Sequence, residues 1–467
     1  MLKFKIDNYR NILLLLFMLF PSACISILGI KLRVAIIFLL IAICIYILFS
    51  FNTVKRELAL FFNNKINKPI ILWAIWCFIT GLLGCFKYST NIFLYLYEYF
   101  FQMGLLILLP YSIAFIISKR NPQEKIISFY YRFISLVFLF GVINAIGILF
   151  DVSFINDIFN NLISNTRNFD LGNSPTSEIY TIVKRVKSVF TEPAGFASFI
   201  FYHLPLIYNI KNIKIGIFKN NIIDRIVKKS FVPIAWVLLI LTKSPLFLIF
   251  SIIETGIIFI VNNYKNTKKM LMFVFFIFTT IFSLIFLINS INIEKTYLMR
   301  IINTVSSLGG NLWNLIYLEP SLATRIINMV NQFILFTQHP FVGVGYWHIL
   351  DAISLQYLNS PVPLTSEIVS AEYQIVNLFL LWTFLAETGI LGCLLLFRFL
   401  FLMIKKCLKI YKYMPPKYKA FWKGCVFMLV NLVVMSWYTY SINSPYICIC
   451  GFIAGTNLII THTKEKI

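Results

Sequence analysis

The residues of this chain best suited to chemistry fall in two polar stretches. In the larger, roughly Ile291 to Glu372, Arg325 leads a helical run into His339-Pro340-Phe341-Val342-Gly343-Val344-Gly345. Soon after the chain turns apolar again it reads Ala386-Glu387-Thr388-Gly389-Ile390-Leu391-Gly392. In the smaller, Lys184-Arg185-Val186-Lys187 precedes Phe190-Thr191-Glu192-Pro193-Ala194-Gly195. Arginine forks match phosphate oxygens and lysine adds point charge, so Lys184, Arg185 and Lys187 are candidates to hold a lipid-linked diphosphate. Each feature has a plainer reading beside it. Arg325 could snorkel to lipid phosphate, His339 could close a helix, and the cation run could be a solvated face.

The elements that carry these residues belong to a membrane protein. With 467 residues, 59% of them hydrophobic and only 13% charged, the composition is that of a multi-pass chain. The net charge of +23 does not point to nucleic acid, because the basic residues sit between apolar runs long enough to span a bilayer. All nine cysteines lie in or beside apolar segments and imply no disulfide framework. Apolar windows predict about twelve helices: 11–30, 34–51, 69–86, 91–118, 127–150, 194–210, 231–242, 244–262, 270–291, 373–404, 420–441 and 444–462. The first window is too long for a signal peptide and reads as a retained span. The seventh is short, and Pro245 suggests a half-helix hairpinned to the eighth through Thr242-Lys243-Ser244.

With the N-terminus inside, most of the 41 Lys and Arg residues collect on the cytoplasmic side, and both termini are cytoplasmic. Two long outer loops remain, about 151–193 and 292–372. The chain thus divides into nine helices over 1–291, the large loop over 292–372, and three helices over 373–467. No internal repeat relates the halves, which weakens an inverted-repeat transporter reading. In the larger loop, Ser321 can cap a helix in which Ile326, Met329, Val330, Phe333 and Ile334 form an apolar face. Asn328, Asn331, Gln332 and Gln338 take much of the remaining surface, so the helix is expected along the interface, apolar face down, with Pro340 at its end. Within the spans, Glu98, Glu254, Glu387 and Arg398 are costly in hydrocarbon and call for partners. Gly389 and Gly392 allow close helix approach beside Glu387.

Four segments resemble the O-antigen polymerase and O-antigen ligase superfamily of bacterial membrane glycosyltransferases. Arg185 to Gly195 is similar to the family's Arg then Glu-Pro segment. Leu241-Thr242-Lys243-Ser244 resembles its Leu-Thr-x-Ser-Arg stretch, with Pro245 where Arg is usual. His339-Pro340-x-x-Gly343-x-Gly345 resembles its His-Pro-x-x-Gly-x-Gly turn. Asn377 through Glu387-x-Gly389 resembles its His-Asn helix start and Glu-x-Gly. Val376 stands where ligases carry the His, which favours polymerase over ligase and leaves the base open.

The resemblance implies an all-α, GT-C-like integral membrane fold in the bacterial cytoplasmic (inner) membrane, with about twelve transmembrane helices and two long periplasmic loops. It implies transfer of a glycan from an undecaprenyl diphosphate carrier to a sugar hydroxyl on a second lipid-linked unit, with inversion. The donor and acceptor glycans, membrane lipid and a chain-length regulator are the partners expected. Nucleic acid is not a partner and no cofactor is expected. Arg185 and Arg325 would clamp the diphosphate, with Lys187 or Arg300 assisting. His339, Glu372, Glu367 or Glu192 would engage the incoming hydroxyl, His339 leading because imidazole titrates near neutral pH, while Gly343, Gly345, Asn377, Glu387 and Gly389 shape the turn. No metal is expected, since the outer loops hold no Asp-x-Asp cluster, although Asp351, Glu367 and Glu372 could meet in space. Competing expectations are an O-antigen ligase acting on lipid A core, and a lipid-linked oligosaccharide flippase. A dolichol-phosphate-type transferase would want a carboxylate in the first outer loop, where Lys31-Leu32-Arg33 stands.

Overall fold

The structure is a computed structural model and describes residues 14–15, 24–27, 30–33, 55–162, 185–190, 193–218, 220–263, 266, 320–349, 351–352, 380–434, 436 and 444–456. The fold is helical. Four described helices are long and apolar enough to cross a membrane: α1 (Lys68–Tyr88), α2 (Ile92–Arg120), α3 (Gln123–Leu149) and the greater part of α9 (Leu380–Tyr413). Around them stand α4 (Ser153–Leu162), α5 (Pro193–Asn209), α6 (Asn221–Leu241), α7 (Pro245–Asn263), α8 (Pro320–Gln338), α10 (Pro416–Val434) and α11 (Ser444–Gly455). The predicted span over 11–30 is not helical to its end. Cys24–Ile27 forms a strand, β1, paired antiparallel with β2 (Ile30–Arg33). The Cys and Ile run there is as apolar as a helix needs, but β-branched residues also suit strands, and hydropathy alone does not separate the two.

α1 shows how these helices sort their faces. Leu72, Ile75, Ile79, Leu83 and Phe86 recur at three- and four-residue spacing and are exposed. The opposite stripe, with Trp73, Cys77, Thr80, Gly81 and Gly84, is buried. Large apolar side chains outside and small or weakly polar ones inside are what a bundle in lipid requires, since lipid gives helices no hydrophobic reason to hide leucine. Inside, aromatic rings and satisfied polar groups hold the helices in register. Tyr111 Oη donates to Asn67 Oδ1 at 2.7 Å, and Ser118 Oγ donates to the Phe452 carbonyl of α11 at 2.8 Å. His203 is fully buried between the Phe199 carbonyl, 2.7 Å from Nδ1, and the Tyr130 hydroxyl, 2.7 Å from Nε2.

Three helices are interrupted in ways that bear on the site. α2 widens into a π-helix over Phe100–Leu108, a distortion that shifts side-chain register within an otherwise continuous span. α6 and α7 are separated only by Thr242–Ser244, with Lys243 in the left-handed region at φ 50° and Pro245 opening α7. α9 is broken at Gly389, where φ is 65° and ψ −171°.

Candidate functional site

The break in α9 and the turn after α8 form one unit. The main chain from Pro340 to Gly345 runs against Ala386 to Ile390, with Val344 N–H donating to the Ala386 carbonyl at 2.8 Å and Gly345 N–H to the Glu387 carbonyl at 2.9 Å. Ile390 N–H donates to the Pro340 carbonyl at 2.8 Å, which gives the interrupted helix a partner for that group. The two backbones meet at van der Waals distance. A Cβ on Gly343 (φ 77°) would strike the main chain of Glu387, and one on Gly389 (φ 65°) would strike that of Phe341. Glycine is required at both positions for conformation as well as for space. The Glu387 carboxylate, 6% exposed, accepts backbone N–H groups of Trp347 and Ile349, which fastens the next part of the turn to the same helix.

A second anchor is His348. It is fully buried, stacked between Tyr88 and Tyr95 at ring separations of 5.9 and 5.7 Å. Its Nδ1 lies 3.0 Å from Asp351 Oδ2, and its Nε2 lies 3.0 Å from the Gly81 carbonyl and 3.4 Å from Cys85 Sγ. A carboxylate behind an imidazole is the arrangement that orients a base. Here the far nitrogen faces the backbone of α1, so His348 ties the turn to α1. Tyr346 completes the attachment by donating to Gln102 Oε1 in the π-helix at 3.4 Å, and Gln102 donates to Glu98 at 3.3 Å.

His339, by contrast, stands at the edge of this unit. Its Nε2 is 2.9 Å from Lys87 Nζ at the end of α1. A lysine can only donate, so the imidazole accepts and is neutral, with its own proton on Nδ1. Burial, reinforced by the neighbouring Lys87 charge, holds the His339 pKa below the ordinary histidine value. The arrangement is a neutral imidazole beside an ammonium at the end of a candidate span, partly open to the surroundings.

The smaller polar stretch is bound elsewhere. Arg185 donates from Nε to the Thr242 carbonyl at 2.8 Å and from Nη2 to the Lys243 carbonyl at 3.1 Å, while Val186 N–H donates to the Leu241 carbonyl at 3.1 Å. Three carbonyls at the C-terminal end of α6 are thereby satisfied, with a cation at the negative end of the helix dipole. Asn144 Oδ1 of α3 accepts the N–H groups of Lys187 (2.9 Å) and Ser188 (3.3 Å), and Ser188 Oγ donates to the Val137 carbonyl at 2.8 Å. Val137 lies near the middle of α3, a candidate span, so this irregular backbone runs deep in the bundle. Irregular backbone at such depth persists only when its polar groups are satisfied, and Asn144 with the Leu241 carbonyl takes up the N–H groups of Val186, Lys187 and Ser188.

The structure therefore joins the turn residues Gly343 and Gly345 to Glu387 and Gly389, and joins Arg185 to the Leu241–Ser244 segment. It assigns Arg185 at least two contacts that are structural. Arg325 lies in the first half of α8, which begins at Pro320, so Ser321 falls inside the first turn and does not precede the helix. Glu192, Arg300, Glu372, Asn377, Val376 and Glu367 lie outside the described residues. One part of the reading of α8 is corrected: two of its amides do not lie on the surface. Asn331 and Gln332 are 1% and 0% exposed, while Phe333 of the apolar face is 47% exposed, as a side chain turned toward lipid would be. α8 packs against α9 and turns these amides inward, an outcome that helix periodicity cannot foresee because it treats every amide as a surface group. Of the other in-span charges, Glu254 accepts from Asn431. Among the described residues no group of three or more His, Cys, Asp or Glu could hold a metal ion.

Lys87, His348 and Gln102 were not singled out from sequence. Lys87 carries little sequence signal, being a lone lysine between two apolar windows. His348 had a faint signal, a histidine three residues beyond Gly345 with Asp351 three further on, the spacing at which helical side chains meet. The chain matches no protein-family model and no curated protein sequence. What fold and site define is a helical membrane-type protein whose broken helix and glycine turn interlock beside a histidine–lysine pair.

Proposed function

We propose that the chain polymerises undecaprenyl-diphosphate-linked oligosaccharide repeat units into O-antigen or capsular polysaccharide at the outer face of the cytoplasmic membrane. One observation carries the reading. Two motifs about 50 residues apart, both singled out by their likeness to membrane glycan polymerases, are held against each other by direct backbone hydrogen bonds, and His339 stands beside Lys87 where they meet.

The chemistry asks for positive charge where the diphosphate leaves and an acceptor for the proton of the incoming hydroxyl. Lys87 supplies the first, and the neutral His339 supplies the second once Lys87 turns from Nε2 to the phosphate and frees that nitrogen's lone pair. The proton of the acceptor hydroxyl passes to His339 as its oxygen bonds to the anomeric carbon, and the electron pair of the cleaved bond goes to the diphosphate. Loss of one such electrostatic donor should cost about 3 kcal/mol, a factor of at least about 100 in rate. The test is complementation of a deletion strain with Lys87→Met or His339→Gln, each checked for membrane insertion. Loss of long glycans with single units still exposed outside supports the reading. Lipid-linked units trapped on the cytoplasmic face would replace it with a flippase.

A further inference from the structure

Asn331 and Gln332 hold four amide atoms, Nδ2 and Oδ1, Nε2 and Oε1, all buried and all without a hydrogen-bond partner among the described residues. Two more unpartnered buried groups, Trp382 Nε1 and Thr383 Oγ1, belong to the facing helix α9. The two sets lie at one level. Phe333, next after Gln332, meets the Trp382 ring at 5.6 Å, and Leu335, about a turn on, shares an apolar cluster with Ala386. Native proteins pair nearly all buried polar groups, and a local group of unpaired ones marks a place where something else supplies the partners.

We infer that this face between α8 and α9 is a subsite for a neutral sugar ring, one turn or more before His339 on the same helix. The inference rests on the glycan-polymerising reading and names residues for its substrate. The donor and acceptor pattern selects the ligand class. Two amide NH2 groups and an indole N–H donate, two amide oxygens accept, and the threonine hydroxyl does either. A phosphate is chiefly an acceptor and brings a charge that the cluster does nothing to offset. A lipid tail pairs with none of them. Sugar hydroxyls both donate and accept, at the density these groups present, and carry no charge where the cluster itself has none.

The test uses the full chain in detergent and free sugars as probes: glucose, galactose, mannose, rhamnose, N-acetylglucosamine and N-acetylgalactosamine, with inorganic phosphate as the anionic control. Saturation-transfer NMR should show contact for at least one sugar, undiminished by phosphate. The Asn331→Leu/Gln332→Met double variant should weaken that contact about tenfold, the cost of losing a few hydrogen bonds to a bound ligand, while its thermal midpoint holds or rises because the unpaired amides are gone. Thr383→Val, nearly isosteric, should weaken it in the same direction without harming the fold. No transfer to any sugar would overturn the inference, as would unchanged transfer with a lowered midpoint, which would make the amides part of the core. Sugar binding that persists in a chain whose deletion leaves long glycans intact would sink the polymerase reading and spare this one.

Discussion

The chemistry of His339 is set by two neighbours acting in the same direction. Burial and the Lys87 charge both disfavour the imidazolium, so the folded protein holds His339 below its unfolded value of about 6.5. A lowered histidine pKa contributes stability that is fully present above the unfolded value and is lost as pH falls toward the folded one. Activity that needs neutral His339 should therefore keep its acid limb below about pH 6.5. Replacing Lys87 with Met should move that limb upward, by part of the shift only, since burial remains the larger cause. A pH–rate profile on both proteins checks this, and a limb that does not move would remove Lys87 from the account. Gly389 is a second residue-scale test. Gly389→Ala places a side chain at φ 65° and against the Phe341 backbone, and should cost about 2 kcal/mol or more. Gly104→Ala, where nothing lies within 4 Å, should be neutral or gain up to about 1 kcal/mol, both read as thermal midpoints in detergent.

At the scale of elements, the account rests on two places where broken backbone is repaired from outside. Glu387 accepts the Trp347 and Ile349 N–H groups, so Glu387→Gln keeps an acceptor while Glu387→Ala leaves two buried donors unpaired. The alanine variant should lose about 1–3 kcal/mol more than the glutamine one. Asn144 does the same for the 185–190 segment, and Asn144→Leu should release it, seen as faster proteolysis or hydrogen exchange there, with Asn144→Asp much milder. Much of this level was legible from sequence. Pro245 signalled the break between α6 and α7, and Pro340 with Gly343 and Gly345 signalled a turn, because proline and glycine act through local backbone geometry. The inward amides of α8 and the Lys87–His339 pair were not legible, since both depend on which distant helix lies alongside. The same limit explains why Arg185, which reads as a phosphate ligand, is found on the carbonyls of Thr242 and Lys243.

For the molecule as a whole, the membrane class followed from composition, and α1, α2, α3 and α9 bear it out as long apolar helices. The carbonyl contacts of Arg185 change how the activity must be tested. Arg185→Ala would strip partners from α6 as well as remove a cation, so loss of function in that variant says little about phosphate binding. Lys87 and His339 are better probes because they meet at a partly open edge, where Lys87 otherwise rests on the Tyr88 ring. The measurement that bears most directly on the central claim is glycan chain length in a deletion strain carrying His339→Gln, with the protein shown to be inserted and folded. The account predicts that long chains vanish and single lipid-linked repeat units accumulate on the outer face. Long chains of normal length and amount in that strain would contradict it.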